Sequence, residues 1–95
     1  MPSNDRPLRD VLLEVLKKYR LEDQLNETRL IENWKKVTGA MISSHTTNLW
    51  VSNKVLYVTV DSGALRQELL YRKEKLIQLL NQSTGMEVIN NIVFR

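Results

Sequence analysis

One six-residue run sets the terms for this chain. Val55-Leu56-Tyr57-Val58-Thr59-Val60 is rich in β-branched and aromatic residues, the make-up of a pleated, half-buried strand. Val58 and Val60 alternate with Tyr57 and Thr59, so one face is expected to be covered and the other wet. Residues 47–52 form the preceding run, and only Asn53 and Lys54 stand between the two. Two residues close a hairpin when both accept a positive φ, which Asn does readily and Lys less so. The middle of the chain is therefore predicted to be a β-hairpin, and the rest must supply its cover.

The flanking segments change period from 2 to 3.6. In residues 7–19, Leu8, Val11, Leu12, Val15, Leu16 and Tyr19 fall on one helical stripe. Pro7 suits a first turn, Asp10 lies near the positive end, and Lys17, Lys18 and Arg20 lie near the negative end. This segment is predicted to be a helix packed on the core. Residues 22–38 predict a second helix, with Leu30, Trp34 and Val37 on one face and Leu25 and Ile31 widening it. Gly39 follows as a cap, and residues 40–45 give one more turn or a tight connection. Residues 62–82 predict the longest helix, with Ser62 as its N-cap. Residues 86–94 hold a last strand containing Val88, Ile92, Val93 and Phe94. The predicted order is α-α-β-β-α-β, an α+β fold in which a small three-stranded mixed sheet packs against helices. The step from the second strand through the long helix to the third is expected to be right-handed if those strands are parallel.

A chain of 95 residues suggests one domain over residues 1–95, with 1–6 a flexible N-terminus. Its 42% hydrophobic and 26% charged residues are ordinary for a globular protein. There is no cysteine, which excludes a disulfide framework, a thiol nucleophile and a cysteine zinc site. Met1-Pro2-Ser3-Asn4-Asp5-Arg6-Pro7 has no apolar core of a signal peptide, and no apolar run approaches a membrane span. The cytoplasm is the expected location, with no membrane partner. Lys and Arg outnumber Asp and Glu by 14 to 11, a net charge of +3. That balance permits a nucleic-acid partner without requiring one.

Catalytic chemistry finds no foothold. His45 is the only histidine, with no cysteine companion and no carboxylate pair at ligand spacing, so a capping or structural role is expected. No phosphate-cradling glycine loop and no G-x-S-x-G turn occurs. No enzyme, cofactor or metal is expected. The unusual feature is on the long helix. Leu65, Leu69, Leu76 and Leu80 define an apolar arc that Leu70 and Ile77 extend, and Arg66 and Lys73 project within it. Two readings stand side by side. The stems of these cations cover the core edge while their heads reach water, or they line a groove beside the sheet and meet phosphates. Trp34 is assigned to the core. Trp50 and Tyr57 are either core residues or, if exposed beside cations, a base-stacking platform.

A family resemblance joins these segments. Trp34-Lys35-Lys36-Val37-Thr38-Gly39, with Ile42 and His45-Thr46, resembles the W-x-x-[IV]-[VT]-G … I-x-x-H-[TS] signature of the DciA-like family. Val55 to Ser62 is similar to its G-x-L-x-V-x-V-x-S stretch, and Ala64-Leu65-Arg66-Gln67-Glu68-Leu69 to A-W-A-Q-E-L. Leu79-Leu80-Asn81 and Val88 to Arg95 resemble L-L-x-x-L-N … V-x-x-I-x-[IVF]-R. The resemblance covers Leu8 to Arg95, and its specificity lies in the order and spacing of the motifs together. It implies a KH-like fold and a bacterial protein that binds DNA and helps load the replicative helicase. The cations on the long helix, taken with this resemblance, give Arg66, Lys73, Lys54 and Arg95 as the expected phosphate contacts, with Trp50 as a stacking residue and single-stranded or forked DNA as partner.

The chain departs from that pattern in places. Asn53-Lys54 stands where an Asp-Gly-like turn is frequent, and Leu65 where many members have Trp. The G-x-x-G phosphate clamp of KH domains is absent, so another surface must serve. Loaders of the family often carry a further basic or disordered tail, and a chain ending at Arg95 is expected to have part of that activity. The competing expectation is a protein-interaction module with no direct contact to nucleic acid.

Overall fold

The hairpin forms where its turn residues allow it. The structure, a computed structural model, describes residues 7–95, apart from the side chain of Leu16. The flexible segment expected at residues 1–6, and the place of Leu16 in the first stripe, lie outside the described residues. The elements are α1 (Leu8–Lys18), α2 (Leu21–Glu32), α3 (Trp34–Thr38), α4 (Ala40–Ser44), β1 (Thr46–Ser52), β2 (Val55–Val60), α5 (Gly63–Tyr71), α6 (Lys73–Thr84) and β3 (Asn91–Phe94). Asn53 and Lys54 both adopt positive φ, 55° and 66°. That is the backbone a two-residue hairpin turn needs to match the twist of its strands.

This turn fixes the register. Ser52 pairs with Val55, Val51 with Leu56, Trp50 with Tyr57 and Leu49 with Val58. β2 is central, antiparallel to β1 and parallel to β3, so the sheet is mixed and the fold is α+β. The element order fits the KH-like description. Leu56, Val58 and Val60 point to the covered face and are buried with Leu30, Trp34, Leu69, Leu76, Leu80, Ile89 and Ile92. The Trp34 indole Nε1 donates to Thr46 Oγ1 at 3.1 Å, and that hydroxyl donates to Ile42 O at 2.8 Å. A buried indole N–H is thereby satisfied, and α3, α4 and β1 are tied at one point.

Both long predicted helices are divided. Asn33 separates α2 from α3, and its Nδ2 donates to Ser83 Oγ at 3.0 Å and Ser83 O at 3.3 Å. Arg72, at φ −103° and ψ 10°, separates α5 from α6, and its N–H bonds Leu69 O in a tightened last turn. The arc drawn for one continuous helix is therefore broken. Leu69, Leu76 and Leu80 are buried, but Leu70 is exposed.

The last strand is shorter than the expected 86–94, because residues 86–90 form a loop held by a side chain. Asn81 Oδ1 accepts from Val88 N at 2.9 Å and Ile89 N at 3.1 Å, and its Nδ2 donates to Ile89 O at 2.9 Å. The amide takes the place of a neighbouring strand, which lets Ile89 bury fully without orphaned backbone groups.

The largest correction concerns α1. It forms as expected but is not a core helix. Leu8 is 82% exposed, Leu12 54% and Tyr19 62%. Arg20, in the left-handed region at φ 60° and ψ 20°, turns the chain between α1 and α2. The molecule measures 64 × 21 × 20 Å, and α2 is the element that α1 chiefly meets. Leu25 of α2, expected to widen the core face, is also exposed. Asn26 is buried beside it, with Nδ2 3.1 Å from Met86 Sδ.

Candidate nucleic-acid interface

Strand alternation decides which side chains meet on the uncovered side of the sheet. Counting from the turn, Trp50 of β1 faces Tyr57 of β2, and Tyr57 faces Val93 of β3. All three lie opposite in phase to the buried Leu56, Val58 and Ile92. The rings of Trp50 and Tyr57 stack with centroids 5.1 Å apart and planes 7° apart. Both residues stay half-exposed. Arg95 continues the phase of Val93 just beyond β3, and its N–H donates to Val58 O at 2.8 Å. Its guanidinium carbon lies 5.1 Å from the Tyr57 ring centroid and 5.7 Å from that of Trp50. These are distances at which a cation is attracted to an aromatic face. Two parallel rings and a delocalised cation thus form one surface feature.

The other predicted contacts fall in different places. Lys54 is exposed at the hairpin tip, and its carbonyl accepts from Asn90 N at 2.9 Å. Arg66, on α5, is half-buried. Its Nη2 donates to Val60 O at 3.3 Å, and its Nε is buried without a hydrogen-bond partner. Val60 N in turn donates to Arg95 O at 2.9 Å, so Arg66 and Arg95 meet the same residue at one end of the sheet. Lys73 opens α6, beyond the break at Arg72, and is half-buried. It has no ion pair among the described residues. The structure therefore joins Trp50 to Arg95, brings Arg66 to the same strand end, and puts Lys54 at the hairpin tip, at the other end of β2. Tyr57 completes the aromatic pair. Two-residue loop counting from Asn53-Lys54 was the signal that could have placed it opposite Trp50.

His45 has a partner that linear spacing did not suggest. Its Nδ1 lies 2.8 Å from Asp61 Oδ1, with both side chains about half exposed, and Asp61 N donates to His45 O at 3.1 Å. The pair clasps the start of β1 to the end of β2. A groove of 690 Å³ runs between α2, the hairpin tip and residues 86–88, lined by Arg20, Asp23, Glu27, Lys54 and Glu87 among others. Burial, helped by the Asp23 charge, raises the Glu27 carboxyl above its ordinary value. A groove of mixed sign with a penalised carboxylate does not suit a polyanion. Among the described residues no group of His, Asp or Glu could hold a metal ion, and no helix is long and apolar enough to cross a membrane.

A family model described as "Dna[CI] antecedent, DciA" matches residues 7–94. A UPF0232 protein of Corynebacterium glutamicum (strain R) is 28% identical over 60 residues, 63% of this chain and 34% of that protein. A UPF0232 protein of Mycobacterium leprae (strain Br4923) is 26% identical over 87 residues, 92% of this chain and 46% of that protein. The chain spans less than half the length of either relative.

Proposed function

The chain belongs to the DciA family, and from that premise we propose that it is a non-enzymatic accessory protein of DNA replication that binds single-stranded DNA on its open sheet face. The family is associated with loading of the replicative helicase, so that helicase is the protein partner in this reading. The cytoplasm is the matching location. The observation that carries the proposal is the Trp50–Tyr57 stack with the Arg95 guanidinium beside it. Trp50 lies on the edge strand, so its outer π-face, backed by Tyr57, is the one offered to a base. Stacking tolerates any base, as a loader that meets arbitrary sequence requires. Arg95 supplies charge for the adjacent phosphate. Arg66 adds positive potential at the same strand end, and Lys54 and Lys73 serve as outlying phosphate contacts.

Fluorescent single-stranded DNA titrated at several salt concentrations tests this. Trp50→Ala and Tyr57→Ala should each weaken binding by about 1–3 kcal/mol per lost base stack. Arg95→Ala should also flatten the log–log salt slope by roughly 0.7, one phosphate on a single strand. The doubly substituted Arg66→Ala/Lys73→Ala protein should show a smaller loss. Parental affinity in all three single variants would move the interface off this sheet face.

A second reading keeps the helicase partner and drops the DNA. The modest net charge of +3 favours it. Co-elution with the helicase after nuclease treatment, with no oligonucleotide shift at low salt, would select that reading.

A further inference from the structure

The strongest unexplained surface is α1, whose apolar stripe is uncovered in the described chain. An isolated helix of 11 residues is marginal in water, below the roughly 12–15 residues at which even favourable sequences begin to hold. Its exposed apolar residues, Leu13 apart, nevertheless fall along one face. At about 100° per residue, Leu8, Val11, Leu12, Val15 and Tyr19 share that face while Asp10, Glu14 and Lys17 lie behind it. Covering the stripe would bury none of those three charges. We propose that the stripe pairs with the same stripe of a second copy of this chain, antiparallel about a two-fold axis.

Three observations point to a second copy. The first is area. The exposed parts of Leu8, Val11, Leu12, Val15 and Tyr19, together with Leu21 and Leu25 at the start of α2, amount to on the order of 700 Å². A specific interface needs about 800 Å² from each partner, and a two-fold pair draws the same patch from both. The second is shape. The stripe begins on Leu8 and ends on the larger Tyr19, so an antiparallel pair sets large against small at both ends. A parallel pair would set Tyr19 against Tyr19. The third is charge. Arg9, Asp10 and Glu14 leave the first half of the helix at −1, whereas Lys17, Lys18 and Arg20 give its second half and turn +3. Antiparallel pairing brings the acidic end of each copy to the basic end of the other and opposes the two helix dipoles. A protein with only ten buried hydrophobic residues among those described also gains most from such a supplement.

Sedimentation of the 95-residue chain across roughly 1–100 µM should show a reversible rise from monomer to twice the monomer mass. Leu12→Glu, at the middle of the stripe, should weaken that association at least tenfold. Emission from the buried Trp34 should be unchanged, since Leu12 is outside the core. Because the chain has no cysteine, introduced thiols report orientation. A short bis-maleimide should join Leu8→Cys copies to Tyr19→Cys copies and should not join Tyr19→Cys copies to one another. A monomer throughout that range overturns the proposal, as does a dimer indifferent to Leu12→Glu. Tyr19–Tyr19 linkage overturns the antiparallel arrangement. A monomer whose Leu12→Glu variant no longer captures the helicase assigns the stripe to that partner instead.

Discussion

The arm formed by α1 and the body from α2 to β3 carry equally legible hydrophobic patterns and meet opposite fates. In the body, Leu30, Trp34, Leu69 and Leu80 close over the sheet and lose their contact with water. In the arm, a stripe of similar regularity stays exposed. The difference teaches that periodicity states a demand for cover and leaves the supplier unspecified. For the body the supplier is the β2 face, brought into place by the hairpin. For the arm, Arg20 turns the chain so that α1 meets chiefly α2 and its stripe stays exposed.

Substitutions can break or sharpen that contrast. The largest expected effect is Leu56→Ala in the centre of the sheet, which should cost about 2–5 kcal/mol through lost burial and a cavity. Its counterpart, Leu12→Ala, should cost under about 0.5 kcal/mol in dilute protein. Urea unfolding followed by circular dichroism measures both, and equal costs would erase the distinction between arm and body. Asn81→Ala comes next. It strips Val88 and Ile89 of their shared acceptor, and a loss of about 2 kcal/mol is expected for donors left unpaired. Hydrogen exchange at those two amides should accelerate more than at β2.

The smallest effect concerns Glu27, in the groove where body and turn meet. Its folded value lies above its unfolded one, so the folded state holds more proton between the two. Stability therefore falls as pH rises from the unfolded value through the folded one, and the full penalty is present at neutral pH. Glu27→Gln should remove that slope and raise neutral-pH stability by a few tenths of a kcal/mol. Thermal melts at acidic and neutral pH check it, and an unchanged slope would place the titration elsewhere.

The hairpin is readable because its causes are local. Strand alternation and a two-residue turn need no knowledge of distant contacts. The helix breaks at Asn33 and Arg72 are not, since neither residue is Pro or Gly. Asn33 is held by Ser83, 50 positions away. The loop at residues 86–90 looked like strand because Val88 and Ile89 have strand composition, and its partner proved to be the Asn81 amide. At the interface, Trp50 and Arg95 were named separately from chemistry. Only the parallel pairing of β3 with β2 puts them together. The grouping of Arg66 with Lys73 assumes one straight helix, and Arg72 interrupts that helix between them.

The left-handed pair Asn53-Lys54 has a reach beyond its own chain reversal. It acts as the phase reference for the whole hairpin, since every residue of β2 inherits its inside or outside from that count. One residue inserted before β2, with β1 and the two-residue turn kept in place, would interchange the two sides of β2. Tyr57 would turn into the oil and Leu56 into the water, so recognition surface and core would fail in one stroke.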